Sequence, residues 1–87
     1  MNIQGQIISG EFDVENNEFS LQRVKNFFTE STLKETQLNN IYEYLKKHEQ
    51  ESDGQIITLY DQMPLRLTQV EIKQLIRDLE QVHLYFN

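Results

Sequence analysis

Hydrophobic and polar positions change period several times along the chain, and each change marks an element. Residues 3–9 (IQGQIIS) are rich in isoleucine and end at Gly10, so they read as a strand. The run continues through EFDV at 11–14, with Phe12 and Val14 on one face. Glu11, Asp13 and Glu15 project from the other. Asn16 and Asn17 can turn the chain, because asparagine tolerates the left-handed region. From Ser20 the spacing lengthens. Leu21, Val24 and Phe28 recur at helical intervals, and the Ser20 hydroxyl can accept a bond from a free amide at a helix start. This predicts a short helix over about 21–29. A competing reading makes 18–24 (EFSLQRV) the second arm of a hairpin around Asn16-Asn17.

Thr32-Leu33-Lys34-Glu35 has the form of a capping box, in which threonine caps the glutamate amide and the glutamate reaches back. A helix running from there to about His48 would bury Leu38, Ile41, Tyr42 and Leu45, with Glu43 and Lys47 four apart in the favourable order. Glu51-Ser52-Asp53-Gly54 stops it. Residues 55–60 (QIITLY) then read as a strand, Asp61-Gln62 as a turn, and 63–67 as a returning strand. In that strand Leu65 and Leu67 share a face, and Pro64 sits at the start or on an edge.

Thr68-Gln69-Val70-Glu71 is a second capping box and opens the most strongly periodic segment, a helix over about 69–85. Ile72, Leu75, Ile76, Leu79, Val82, His83 and Phe86 fall in one arc of it, with Lys73, Gln74, Arg77, Asp78, Glu80 and Gln81 outside. The expectation is therefore a single α+β domain over 1–87 in the order β-α-α-β-β-α. A small antiparallel sheet, made of the N-terminal strand and the 55–67 hairpin, would pack against three helices.

Composition narrows the function classes. The chain has 87 residues, 38% hydrophobic and 25% charged, which is a foldable balance. It is short enough to be marginal alone, so a second copy or a partner would add useful buried area. Cysteine is absent, which removes disulfides, thiolate nucleophiles and zinc–thiolate sites, and fits a reducing, cytoplasmic setting. No run approaches the roughly 20 apolar residues of a membrane span. Fourteen acids face eight bases, for a formal net charge of −6. Such a surface repels phosphate and anionic membranes and attracts basic proteins, although solubility alone is the plainer reason for it.

Candidate chemistry is sparse. His48 and His83 have no metal-ligand spacing; His48 suits the end of its helix dipole, and His83 reads as a packing residue. Gly5 and Gly10 are too isolated for a phosphate loop, and no nucleophile motif appears. No catalytic activity, cofactor or metal is expected. Glu11, Asp13 and Glu15, with Glu18 close behind, form a row with no base between 11 and 18. Carboxylates two apart on a strand repeat at about 6.6 Å, close to two axial steps of one DNA strand at about 6.8 Å. The same row also reads as a solvated edge that deters strand pairing. Val70, Leu84 and Tyr85 lie off the arc of the last helix and are candidates for a homodimer or partner contact.

These features point to a small, acidic, non-enzymatic regulator or inhibitor that binds a basic protein, in its sharpest form a nucleic-acid mimic. The alternative is a winged-helix-like, dimeric DNA-binding regulator. There, helices 21–29 and 33–48 precede a hairpin whose wing tip is 61–64. The mixed charge of the second helix and Asp61 at the tip weigh against it.

Overall fold

The computed structural model describes residues 1–51, 55–57 and 64–87. Its first 33 residues form an antiparallel meander of four strands in sequence order: β1 (Asn2–Gln4), β2 (Ile8–Asp13), β3 (Glu18–Val24) and β4 (Phe27–Leu33). Helix α1 (Glu35–His48) follows, then a separate two-stranded pair, β5 (Gln55–Ile57) and β6 (Leu65–Leu67), and finally helix α2 (Gln69–His83). The chain is α+β as expected, but the β-α-α-β-β-α layout is not what forms. Among the described residues there are two helices, and the main sheet is built from the N-terminal third alone.

The N-terminal strand breaks in two. Gly5 and the residues after it turn the chain so that Ile3 lies opposite Gly10, and Gly5 N–H donates to Ile8 O at 2.8 Å. Segment 21–29 is not a helix; it spans the end of β3, a tight turn and the start of β4. The hairpin around Asn16-Asn17 is the reading that holds, with Asn17 at φ 55° and Phe12 opposite Phe19. The misreading has a physical cause. The β2–β3 register shifts between Ser9 and Gly10, where Arg23 and Leu21 are the successive partners and Gln22 is the extra residue. The inward positions therefore run Phe19, Leu21, Val24, a lengthened interval that imitates a helix. Phe28, which would have completed that stripe, is 86% exposed.

Helix α1 also starts later than the Thr32 box implies. Leu33 is held in the sheet opposite Phe19 and is buried, so Thr32 stays in β4 opposite Ser20. The cap falls on Lys34, whose amide donates to Gln37 Oε1 at 2.9 Å. The second box forms as written: Glu71 N–H donates to Thr68 Oγ1 at 3.2 Å, and Thr68 N–H to Glu71 Oε1 at 2.9 Å. In β6, Leu65 and Leu67 are buried and Arg66 is exposed, as their alternation predicts. The expected stop at 52–54, strand residues 58–60 and turn 61–62 lie outside the described residues.

One core joins these layers. The inner sheet face supplies Ile3, Ile8, Phe12, Phe19, Leu21, Val24 and Leu33. The helices supply Leu38 and Leu45 from α1 and Ile72, Leu75, Ile76, Leu79 and Val82 from α2. Each such side chain contributes about 1.5–3 kcal/mol by leaving water. Ile41, Tyr42 and Phe86 pack at the margin. Asp78, which the helical pattern places with the solvated residues, is buried instead. Its Oδ1 accepts from Gln6 N–H at 2.9 Å, and its Oδ2 from Ile7 and Ile8 N–H at 2.6 and 3.1 Å. The carboxylate thus fastens α2 to the β1–β2 turn and satisfies amides the ladder cannot reach.

With 21–29 in strands, the winged-helix arrangement loses its first helix. Of its wing tip, only Pro64 is among the described residues.

Candidate protein-binding face

One face of the meander packs on the helices and the other meets solvent. Strand alternation decides which side chains point outward. On β2 they are Glu11 and Asp13; on β3, Glu18, Ser20, Gln22 and, past the bulge, Arg23; on β4, Phe28, Glu30 and Thr32. Register aligns them across the sheet. Glu11 lies between Asn2 and Ser20, and Ser20 faces Thr32. Asp13 stands directly opposite Glu18. Like charges in that position cost stability.

The structure gathers the expected acidic residues but changes their arrangement. Glu11 and Asp13 share the outer face of β2. Glu15 has left the strand and sits exposed in the β2–β3 turn, so the straight row of three becomes a cluster around the hairpin end. Glu18 joins from the neighbouring strand. Glu30, which a helix over 21–29 leaves unplaced, also points outward, but it lies beside the Gln22 bulge, away from the Asp13–Glu18 end.

Asp13 has a second role. Its Oδ1 accepts from Asn16 N–H at 3.1 Å and its Oδ2 from the Asn16 side-chain amide at 2.8 Å. The side-chain bond from Asn16, then the backbone bond, holds the Asp13 carboxyl below the usual range. It therefore keeps its charge further into acid than an ordinary aspartate.

Two bases lie in the first 33 residues, Arg23 and Lys25, and both are tied to the fold. Arg23 donates through Nε to Ser9 Oγ at 3.2 Å, through Nη1 to Lys25 O at 2.8 Å and through Nη2 to Gly5 O at 3.4 Å. It stitches two turns together. Lys25, at φ 54°, reaches to the helical layer, where its Nζ pairs with Glu71 Oε2 at 3.0 Å and donates to Arg66 O at 3.2 Å. Register sets Arg23 on the outer face, opposite Ser9 and Phe28, whereas Lys25 turns to the helices. A third cation, the Met1 ammonium, donates to Phe12 O at 3.1 Å and adds, after the Asn16 bonds, to the lowering of the Asp13 carboxyl.

The apolar candidates separate. Val70 lies in the first turn of α2 and Leu84 caps its far end. Fourteen residues of helix put them about 21 Å apart. They are 65% and 74% exposed. Tyr85 turns back toward the body, its ring 5.8 Å from that of Phe12, and Phe86 meets Phe12 edge-on at 4.8 Å. Asn87 N–H donates to Asn17 Oδ1 at 3.0 Å, so these last residues pack over the hairpin end. His83 is exposed beside a groove between the helices, and His48 Nδ1 lies 2.6 Å from Glu51 Oε1. Among the described residues no three acidic or imidazole groups converge as metal ligands, and no helix is long and apolar enough to cross a membrane. Comparison with protein families, with curated proteins and with solved structures returns no match, so the outer face of the sheet carries the functional argument by its own chemistry.

Proposed function

We propose that this chain is a small non-catalytic binding module whose outer sheet face docks a cationic surface on another protein. The observation that carries the reading is the cross-strand pair Asp13 and Glu18, with Glu11 beside it on β2, on a face where acids outnumber the cations, Arg23 being bonded to Ser9, Lys25 and Gly5 and the Met1 ammonium to Phe12 O. Carboxylates in excess over cations on one sheet face favour a partner with lysines and arginines, and their field speeds its approach. The module would regulate or inhibit by occupying that partner's basic surface. In the narrower form of the proposal the surface is a nucleic-acid groove. Glu11 and Asp13 would then repeat along β2 at about 6.8 Å, close to two axial steps of one DNA strand.

The test is affinity capture from a cell extract, with mass spectrometry, using the native chain and a variant carrying Glu11→Lys, Asp13→Lys and Glu18→Lys. The expected result is capture of a basic protein by the native chain and its loss in the variant. Circular dichroism checks that the variant folds. Retention of the same partner by the reversed face would refute the reading. Competition by duplex DNA for the captured protein tests the narrower form.

A further inference from the structure

The face of α2 that points away from the core has a pattern of its own. Val70, Arg77 and Leu84 are spaced by seven residues, an interval over which a straight helix drifts only about 20°. They therefore form one line down the helix, opposite Ile72, Leu75 and Leu79. Lys73 and Glu80, also seven apart, form a parallel line on the side nearer α1. All five are exposed. The stripe reads apolar at each end and charged between, with Lys73 toward the start of the helix and Glu80 toward its end.

Beside Leu84 a groove of about 290 Å³ opens between the helices, floored by Leu38 and Leu79 and walled by Tyr42. Glu80 stands at its rim, where its Oε2 accepts from the Tyr42 hydroxyl at 2.8 Å. The groove is mostly apolar and opens to solvent. The other end of the helix bears the exposed apolar side chain of Val70.

We propose that a second copy of this chain covers this face, with the two α2 helices antiparallel across a two-fold axis near Arg77. The pairing follows from the order of the stripe. Reversing one helix places Val70 of each protomer beside Leu84 of the other, at the mouth of the groove. It also brings each Lys73 next to the partner's Glu80. Both matches occur twice by symmetry, which is the self-complementarity a two-fold interface requires. A parallel arrangement instead sets Lys73 beside Lys73 and Glu80 beside Glu80. Arg77 meets its own copy on the axis, and the contact is one helix long, so the association is weak and concentration-dependent. Val70 and Leu84, too far apart to form one patch within a chain, become neighbours between chains. The proposal is independent of the acidic sheet face.

Sedimentation velocity on the full chain, over a dilution series reaching ~1 mM, reads the association. The native chain is expected to show a monomer–dimer equilibrium. Glu80→Lys should weaken it roughly tenfold or more, since two attractions become repulsions. Adding Lys73→Glu to that variant should restore it, although both variants lack the Tyr42 hydrogen bond, so recovery cannot come from the monomer fold. A Val70→Cys, Leu84→Cys variant has no other thiol and cannot close a bond within its own helix. On mild oxidation it should yield a covalent dimer linked 70 to 84 across chains. A monomer throughout the series overturns the proposal. So does a dimer indifferent to the charge changes, or one whose cross-links join 70 to 70 and 84 to 84.

Discussion

The carboxylate of Asp78 occupies the space that any side chain on Gly5 would need: a methyl group there would lie 2.5 Å from Asp78 Cγ. Gly5 is thus required by a close approach between the β1–β2 turn and α2, residues more than seventy positions apart in sequence. The two should behave as one unit. Gly5→Ala is expected to cost about 1–3 kcal/mol through overpacking. Asp78→Ala should cost about 3 kcal/mol or more, because it strands three amides that now donate to a charged acceptor. The informative result is the double variant. With the carboxylate gone, alanine at position 5 has room, so its added cost should fall close to zero. Urea unfolding of the four proteins measures this coupling, and simple additivity would contradict the geometry.

Acid should loosen the attachment of the second helix. Glu71 accepts from the Thr68 amide and pairs with Lys25, and these contacts, the backbone bond first, hold its carboxyl below the usual range. A carboxyl depressed in the fold stabilises it fully above its unfolded value and loses that contribution as pH falls through the folded value. The unfolding midpoint should therefore drop as pH is lowered from about 6 to about 3. Glu71→Gln should lower the midpoint at neutral pH and flatten that acid limb. An unchanged acid limb in the variant would remove Glu71 from the explanation.

Phe86 is predicted to matter for stability. Its ring meets Phe12 edge-on and packs on the core margin although it lies beyond the last helix. Phe86→Ala is expected to cost about 1–3 kcal/mol. Leu84→Ala, at a position 74% exposed, should change monomer stability by less than about 0.5 kcal/mol. Thermal unfolding of dilute protein separates the two.

These contrasts show what the sequence makes legible. Helix α2 could be read because its pattern is local: the Thr68 and Glu71 box and the spacing of Ile72, Leu75, Leu79 and Val82 depend on few residues outside it. The Asn16-Asn17 turn was visible for the same reason. The β3 strand was legible only as the second choice to a helix, because the bulge at Gln22 inserts one residue into a period of two. Asp78 was read as a solvated flank because its partners, Gln6 to Ile8, lie at the other end of the chain. The candidate face was half legible. Glu11, Asp13 and Glu18 could be picked from their charge, but the Asp13–Glu18 pairing and the outward turn of Glu30 depend on a strand register that the sequence alone leaves open.

The account rests most heavily on the charge of that face, and neutral isosteres isolate charge from shape. Glu11→Gln, Asp13→Asn and Glu18→Gln keep side-chain size, and asparagine at 13 retains an oxygen for the Asn16 amide. Calorimetric titration of the captured partner against the native chain and this triple variant, at low and at physiological salt, is the direct measurement. The prediction is a hundredfold or greater loss of affinity, on the order of 3 kcal/mol, and a salt dependence that largely disappears with the carboxylates. Equal affinity of the two proteins, with the same response to salt, would contradict it.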